Sequence, residues 1–295
     1  MTMINVYDFL RYYPDAYKQF VCKDMLFAYY DCPQVRKVDD VYTHHNIFVF
    51  DISGKKRFYR AGKSWLFEPG NGLLMKKGAF IQEIYLGEGY RSINFYVPDS
   101  YLRQLIKNYY KLNNGKLLPN QPTEHIIEFD MSAETKRFLQ AIIDCFSQQT
   151  PPSEEVLEQK FCELIFSIMA NPANKSLISY LNSIAEQSKT SLYEVIESNY
   201  MYNLSLSDYA RISNRSLATF KRDFKQLFNT PPAKWLIEKR LEYARTLLET
   251  SPKNIVDVSF ESGFENNSHF SRAFKYKFGM SPFQYRKERA TLAFA

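Results

Sequence analysis

The sequence predicts an α+β protein of two domains. The first is a β-barrel or sandwich followed by helices; the second is all-α, with two helix-turn-helix units joined by a long helix. Three observations carry this expectation. Short aromatic and β-branched runs separated by turn residues fill residues 20–98. Beyond Pro98 the apolar spacing changes to that of helices. After residue 203 the chain repeats itself with a period near 50. A length of 295 residues is enough for two domains, each with its own core.

In the first part, residues 25–30, 46–52, 56–60, 64–68, 79–86 and 91–97 read as strands. They are punctuated by Ser53-Gly54, Pro69-Gly70-Asn71-Gly72 and Gly87-Glu88-Gly89. Six or more such runs with no helical pattern between them suggest a sandwich or small barrel. The 24 Phe and 22 Tyr suit its pleated surfaces and core. Helices are expected over 99–110 and over 132–147, where Phe138, Leu139, Ile142, Ile143 and Phe146 form a stripe. A third follows Pro151-Pro152, with Ser153 as its cap and Leu157, Phe161, Leu164, Ile165 and Ile168 on one face. That face suits either a dimer seam or the domain's own core.

Charge separates the two parts. Residues 200–295 hold 16 Lys and Arg against 9 Asp and Glu, a net of +7, whereas residues 1–199 carry a net of −1. This is the footprint expected when one domain meets phosphate and the other does not. The N-terminus lacks a basic segment followed by an apolar run, and no stretch has the ~18 consecutive apolar residues of a membrane helix. A cytoplasmic protein with no membrane partner is expected. Cys22, Cys32, Cys145 and Cys162 lack CxxC spacing, which argues against a zinc module or disulfide framework. Adjacent His44 and His45 on a strand would point to opposite faces, so no metal or other cofactor is expected.

The repeat carries the functional argument. Its first copy reads Phe220-Lys-Arg222-Asp-Phe224-Lys225-x-x-Phe228-Asn229-x-x-Pro232-x-x-Trp235. Its second reads Phe270-Ser-Arg272-Ala-Phe274-Lys275-x-x-Phe278-Gly279-x-x-Pro282-x-x-Tyr285. Each copy ends a helix on a residue tolerant of the left-handed region, then places a proline that prevents resumption. Upstream, Ser205-x-x-Asp208 matches Asn254-x-x-Asp257 as helix starts. Small Ala210 matches Ser259, and Asn214 matches Gly263 where a turn needs positive φ. Each copy is thus a short capped helix, a tight turn and a longer basic helix. Between them, residues 233–249 form a helix about 26 Å long, which suits two recognition helices set near the ~34 Å repeat of successive major grooves.

The last part of the chain resembles the AraC/XylS family of bacterial transcription regulators. The resemblance rests on Arg240-Leu241-x-x-Ala244-x-x-Leu247-Leu248, Ile255-x-x-Val258-Ser259 and Gly263-Phe264. It continues through His269-Phe270-Ser271-Arg272-x-Phe274-Lys275 and Phe278-Gly279-Met280-Ser281-Pro282-x-x-Tyr285-Arg286. Ser259 departs from the usual Ala, and Asn214 from the usual Gly. The sequence pattern places a helical connector at 172–202, and the resemblance implies that residues 1–171 form a cupin-like regulatory and dimerisation domain and 203–290 the DNA-binding domain. It also implies double-stranded promoter DNA and RNA polymerase as partners, with activation as the usual outcome. Homodimerisation and control by a small-molecule or protein effector remain open, as does repression.

Helical spacing selects the DNA-facing candidates. Ala218, Lys221, Arg222 and Lys225 lie opposite Phe220, Phe224, Leu227 and Phe228, which are expected to face inward; Ser268, Ser271, Arg272 and Lys275 lie opposite Phe270, Phe274 and Phe278. Base contacts are expected from Lys221, Arg222, Asn267, Ser268, Ser271 and Arg272, because guanidinium and amide groups pair bidentately with guanine and adenine. Arg215, Ser216 and Asn266 are expected at phosphates or groove edges. Lys225 and Lys275 are expected to be solvated or to face phosphate. Arg222 and Arg272 sit beside the apolar stripes and have nearby carboxylates as alternative partners. The clustered cysteines of a DNA-alkyl repair enzyme and the ligands of a metal cupin are both missing, so no catalytic activity is expected. An architectural binder without sequence preference is the rival reading, and the different composition of the two outward faces argues against it.

Overall fold

The aromatic runs of the first part are strands, and they build two facing sheets. In a computed structural model the described residues are 3–31, 37–60, 62–84, 89–113, 123–186 and 190–293. Cys32 and the turn at Gly87-Glu88 lie outside them. The chain divides into two units, Ile4–Thr190 and Ser191–Ala295.

The first unit runs β1 (Ile4–Asn5), α1 (Val6–Tyr12), β2 (Lys18–Cys22), β3 (Met25–Asp31), β4 (Lys37–Thr43), β5 (Asn46–Ser53), β6 (Lys56–Arg60), β7 (Lys63–Phe67), β8 (Gly72–Met75), β9 (Gly78–Ile84) and β10 (Arg91–Val97). Then come α2 (Asp99–Leu112), β11 (Ile126–Phe129), α3 (Ala133–Ile143) ending in a 3-10 turn at Asp144–Ser147, α4 (Glu154–Ala170) and α5 (Lys175–Glu186). One sheet has the order β1-β4-β9-β6-β7, the other β11-β8-β5-β10-β3-β2. All neighbouring pairs are antiparallel except β1 with β4.

Alternation along the strands explains the two apolar layers. Leu26, Ala28, Ile47, Val49 and Tyr96 join Val41, Phe58, Phe67 and Phe80 in one core. The intervening Phe27, Phe48, Phe50, Ile93 and Phe95 join Leu102, Ile106, Ile142, Phe161, Leu164 and Leu181 of the helices in another. β5 is buried on both faces, so it reads as a continuous apolar run. The stripe Leu157, Phe161, Leu164, Ile165 and Ile168 of α4 belongs to this second core. Of the two roles left open for it, the domain's own core is the one it fills. Ser153 caps α4 at the backbone N–H of Val156.

A buried polar network crosses this unit. Lys77 Nζ lies 2.6 Å from Asp99 Oδ2, with only 5% and 8% of the two side chains exposed. Asn46 Nδ2 donates to the other carboxylate oxygen at 2.7 Å, and Tyr180 Oη donates to Asn46 Oδ1 at 2.6 Å. Thr190 Oγ1 lies 2.6 Å from Lys77 Nζ and 3.1 Å from Asp99 Oδ2. Burial would push the Asp99 carboxyl up, but the Lys77 charge and these hydrogen bonds hold it below the usual carboxylate range. The network reaches Thr190, the last residue of the unit. The expected connector 172–202 is therefore not a separate element, because α5 packs on α2 within the first unit and Ser191 begins the second.

The second unit contains α6 (Leu192–Glu197), α7 (Leu206–Ile212), α8 (Leu217–Phe228), α9 (Pro232–Thr250), α10 (Ile255–Glu261), α11 (Asn267–Phe278) and α12 (Pro282–Ala293). Helices α7 and α8 form one helix-turn-helix and α10 and α11 the other, with α9 packed against both. The sequence repeat has become a geometric one. Ring centroids of Phe220 and Phe224 are 5.7 Å apart, and those of Phe270 and Phe274 are 5.6 Å apart. Phe224 to Phe228 and Phe274 to Phe278 are both 4.5 Å. The ring of Trp235 meets Phe224 at 5.8 Å, as Tyr285 meets Phe274 at 5.6 Å.

Candidate DNA-binding surface

Local sequence fixes where each outward helix starts, turns and stops. Ser205 and Asp208 form a reciprocal capping box at the start of α7, and Asn254 accepts from the Asp257 N–H at the start of α10. The two turns then close alike: Arg215 N–H donates to the Ala210 carbonyl at 2.9 Å, and Phe264 N–H to the Ser259 carbonyl at 3.0 Å. Asn214 (φ 54°) and Gly263 (φ 86°) take the left-handed conformation this requires. At Gly263 the need is doubled, because a Cβ there would lie 2.9 Å from both Arg240 Nε and the Met201 carbonyl oxygen. Ala210 and Ser259 are buried at the crossings, where a larger side chain would hold the helices apart. Both long helices stop on left-handed residues, Asn229 and Gly279.

Helix α9 is held in place by Arg240. Its Nε and Nη2 each donate at 2.7 Å, to the carbonyls of Tyr200 and Tyr202. The 19 residues of α9 make it about 28 Å long. Ala244, Leu241, Leu247 and Leu248 on its inner side pack with Phe264, Phe270 and Phe274.

The structure places the DNA-facing candidates as follows. Ala218, Lys221, Arg222 and Lys225 are exposed on α8, and Ser268, Arg272 and Lys275 are exposed on α11. Ser271 and Asn267 are half-buried, and Asn267 Oδ1 has no hydrogen-bond partner among the described residues. Ser216 and Asn266 are the N-caps of α8 and α11. The Ser216 oxygen accepts from Thr219 N–H, and Asn266 Oδ1 accepts from Ser268 and His269 N–H.

Arg215 departs from expectation. It is not an exposed phosphate contact: only 9% of its side chain is exposed, and its Nε lies 3.1 Å from Asp223 Oδ2. Its Nη1 also donates to the Ser213 carbonyl at 2.8 Å. Arg215 thus braces the turn of the first helix-turn-helix from within. The same Asp223 pairs through its other oxygen with Arg222 at 3.1 Å, although 72% of the Arg222 side chain stays exposed. The Arg215 hydrogen bond, with help from Arg222, holds the Asp223 carboxyl below its usual range. In the second helix-turn-helix the matching residue is Ala273, and Arg272 forms no ion pair among the described residues. The two arginines that correspond in sequence therefore differ in electrostatic state. Among the described residues, Arg222 has a carboxylate partner and Arg272 has none. Asp223, which decides this, was missed because it sits between two outward positions and reads as an ordinary surface acid.

Comparison with known proteins completes the assignment. Residues 46–180 match the ExsA N-terminal regulatory domain, and residues 209–288 match a helix-turn-helix domain. The thermoregulatory protein LcrF of Yersinia pestis is 25% identical over 236 residues, covering 80% of this chain and 86% of that protein. The virulence regulon transcriptional activator VirF of Yersinia enterocolitica shares 25% identity over the same extent. The HTH-type transcriptional regulator ExsA of Pseudomonas aeruginosa is 26% identical over 238 residues, 80% of this chain and 84% of that protein. The chain is a helix-turn-helix transcriptional regulator similar to these proteins.

The regulator binds promoter DNA through its second unit, and its first unit is the regulatory domain. His44 and His45 lie between β4 and β5, with the Tyr7 ring edge-on to both, at 5.2 and 4.4 Å. Cys22 and Cys145 are buried thiols, and Cys162 is half-buried. Burial raises the Cys22 thiol to about 11. Among the described residues, no helix is long and apolar enough to cross a membrane.

Proposed function

We propose that this regulator activates transcription by laying α8 and α11 into two neighbouring major-groove segments of one promoter duplex. The observation that carries this reading is the geometric repeat: two basic helices with matching aromatic anchors, both packed on one 19-residue helix. Lys221 and Arg222 from α8, with Asn267, Ser268, Ser271 and Arg272 from α11, are the base-facing set. Lys225 and Lys275 face phosphate. Ser216 and Asn266 act as helix caps whose neighbouring N–H groups lie toward the backbone, and Ala218 gives close approach at the start of α8. Arg215 leaves this set for a bracing role.

Activation is supported by the names of the relatives, among them a transcriptional activator that aligns with 80% of this chain. Recruitment of RNA polymerase, self-association through the first unit and an effector that acts on that unit complete the reading, in the cytoplasm.

Binding-site selection tests it. The full chain is incubated with a randomised duplex pool at ~0.15 M salt, and the enriched sequence competes against unselected duplex. Preference for the enriched duplex of roughly a thousandfold or more is expected, in the range of specific regulators. Failure to enrich any sequence would leave an architectural binder and end this proposal.

A further inference from the structure

The outward face of α11 carries one large side chain that the DNA-facing set leaves out. Tyr276 is 95% exposed, the most exposed large hydrophobic residue among those described. A single solvated tyrosine is unremarkable by itself; its position is what matters. Taking 100° per residue, Phe270, Phe274 and Phe278 share the buried side of α11, and Tyr276 projects opposite them beside Arg272. It stands one turn beyond Arg272 and next to exposed Lys275. The following residue turns the other way: Lys277 Nζ lies 2.9 Å from Glu242 Oε1 and donates to the Glu238 carbonyl at 3.1 Å. The end of α11 is therefore held on α9, with the tyrosine ring on the open side. The matching residue of the first helix-turn-helix is Gln226, so this aromatic group is particular to the second.

We infer that Tyr276 is a contact to the sugar–phosphate backbone at the rim of the groove that α11 enters. The inference rests on the DNA-binding reading above. Recognition helices present their N-terminal residues to base edges, and Tyr276 lies about 13 Å along the axis from the first residue of α11. The major groove is about 12 Å wide, so a residue at that depth meets the wall rather than the floor. The phenolic hydroxyl donates to a phosphate oxygen, and the ring packs on deoxyribose. Such a contact strengthens binding and fixes register without reading sequence.

The test measures affinities of the full chain for two duplexes, one enriched from a randomised pool by the wild-type protein and one unselected. Tyr276→Phe is expected to weaken both by about threefold or more, and Tyr276→Ala by about tenfold, with the ratio between duplexes unchanged. Because the side chain is neutral, the salt dependence of both variants should match the wild type, whereas Lys275→Ala should lose about one unit of slope. Melting temperatures should not move, since the ring touches no other ring among the described residues. Wild-type affinity in both tyrosine variants overturns the inference, and so does a loss confined to the enriched duplex, which would mark a base reader. Arg272→Ala serves as the control. If it too leaves the ratio intact, the underlying DNA-reading assignment has failed rather than the tyrosine contact alone.

Discussion

Arg272→Ala should lower affinity for an enriched duplex by about 10- to 100-fold while changing affinity for unselected DNA by only a few fold. The expectation follows from what surrounds the guanidinium. It is exposed on the outward face of α11 and forms no ion pair among the described residues, because Ala273 stands where the first helix-turn-helix has Asp223. Among the described residues, no ion pair has to be broken before it reaches a base. A bidentate arginine–guanine pair carries about 1–3 kcal/mol of discrimination, which sets the fold-change. Arg222→Ala should cost less. Its pairing with Asp223 at 3.1 Å must be released or shared on binding, although a pair this exposed contributes little on its own. Competition assays with both variants check the ordering. An Arg222 effect larger than that of Arg272 would contradict it.

The second large effect concerns the regulatory unit. Asp99→Ala leaves the buried ammonium of Lys77 without its carboxylate and should cost about 3–5 kcal/mol of stability in denaturant unfolding. Replacing both partners by apolar residues, Lys77→Met with Asp99→Leu, should recover much of that loss. What destabilises is the uncompensated charge more than the absence of the pair. The sign of the pH dependence follows from the depressed carboxyl. Its contribution is fully present above the ordinary Asp value near 4 and is lost as pH falls through its lower value in the folded state. Asp51 has the opposite sign. Burial raises it to about 6, so its contribution is present below pH 4 and is lost as pH rises through 6. The Asp99→Ala variant should therefore lose Asp99's share of the acid limb below pH 4 and keep the slope between 4 and 6. A cost under about 1 kcal/mol would show that this ion pair is not a structural tie.

How much of this was legible in the sequence depended on how local each determinant is. The second unit was readable because its signals are short-range. Capping pairs three residues apart start α7 and α10, and left-handed residues end α8 and α11. Repeated aromatic spacing marked the inward faces, except at Leu227, expected inward but 53% exposed on α8. The first unit was readable in class but not in detail. β8 was hidden because Gly72, taken as part of a turn, is its first residue, lying where a Cβ would strike the Phe129 ring at 2.3 Å. β2, β4 and β11 are short or carry charges that mask their alternation, as at Asp39 and Asp40 in the middle of β4. β6 turns Lys56 and Arg60 inward with Phe58, and no hydropathy pattern signals buried cations. The boundary was misplaced because what ties residue 190 to the first unit is a contact with Lys77 and Asp99, about a hundred positions away. Arg215 was misassigned for a related reason. Its partner Asp223 is brought to it by the folded turn, and a basic residue at a helix entrance looks the same whether it faces phosphate or an internal acid.

The central claim is that two matching helices on one rigid unit enter adjacent grooves of one duplex. Guanine-methylation interference on an enriched duplex, with the full chain bound, measures this directly. The account requires two clusters of interfering major-groove positions on one face of the DNA, their centres about 10 base pairs apart. One cluster alone, or two on opposite faces half a turn apart, would contradict it.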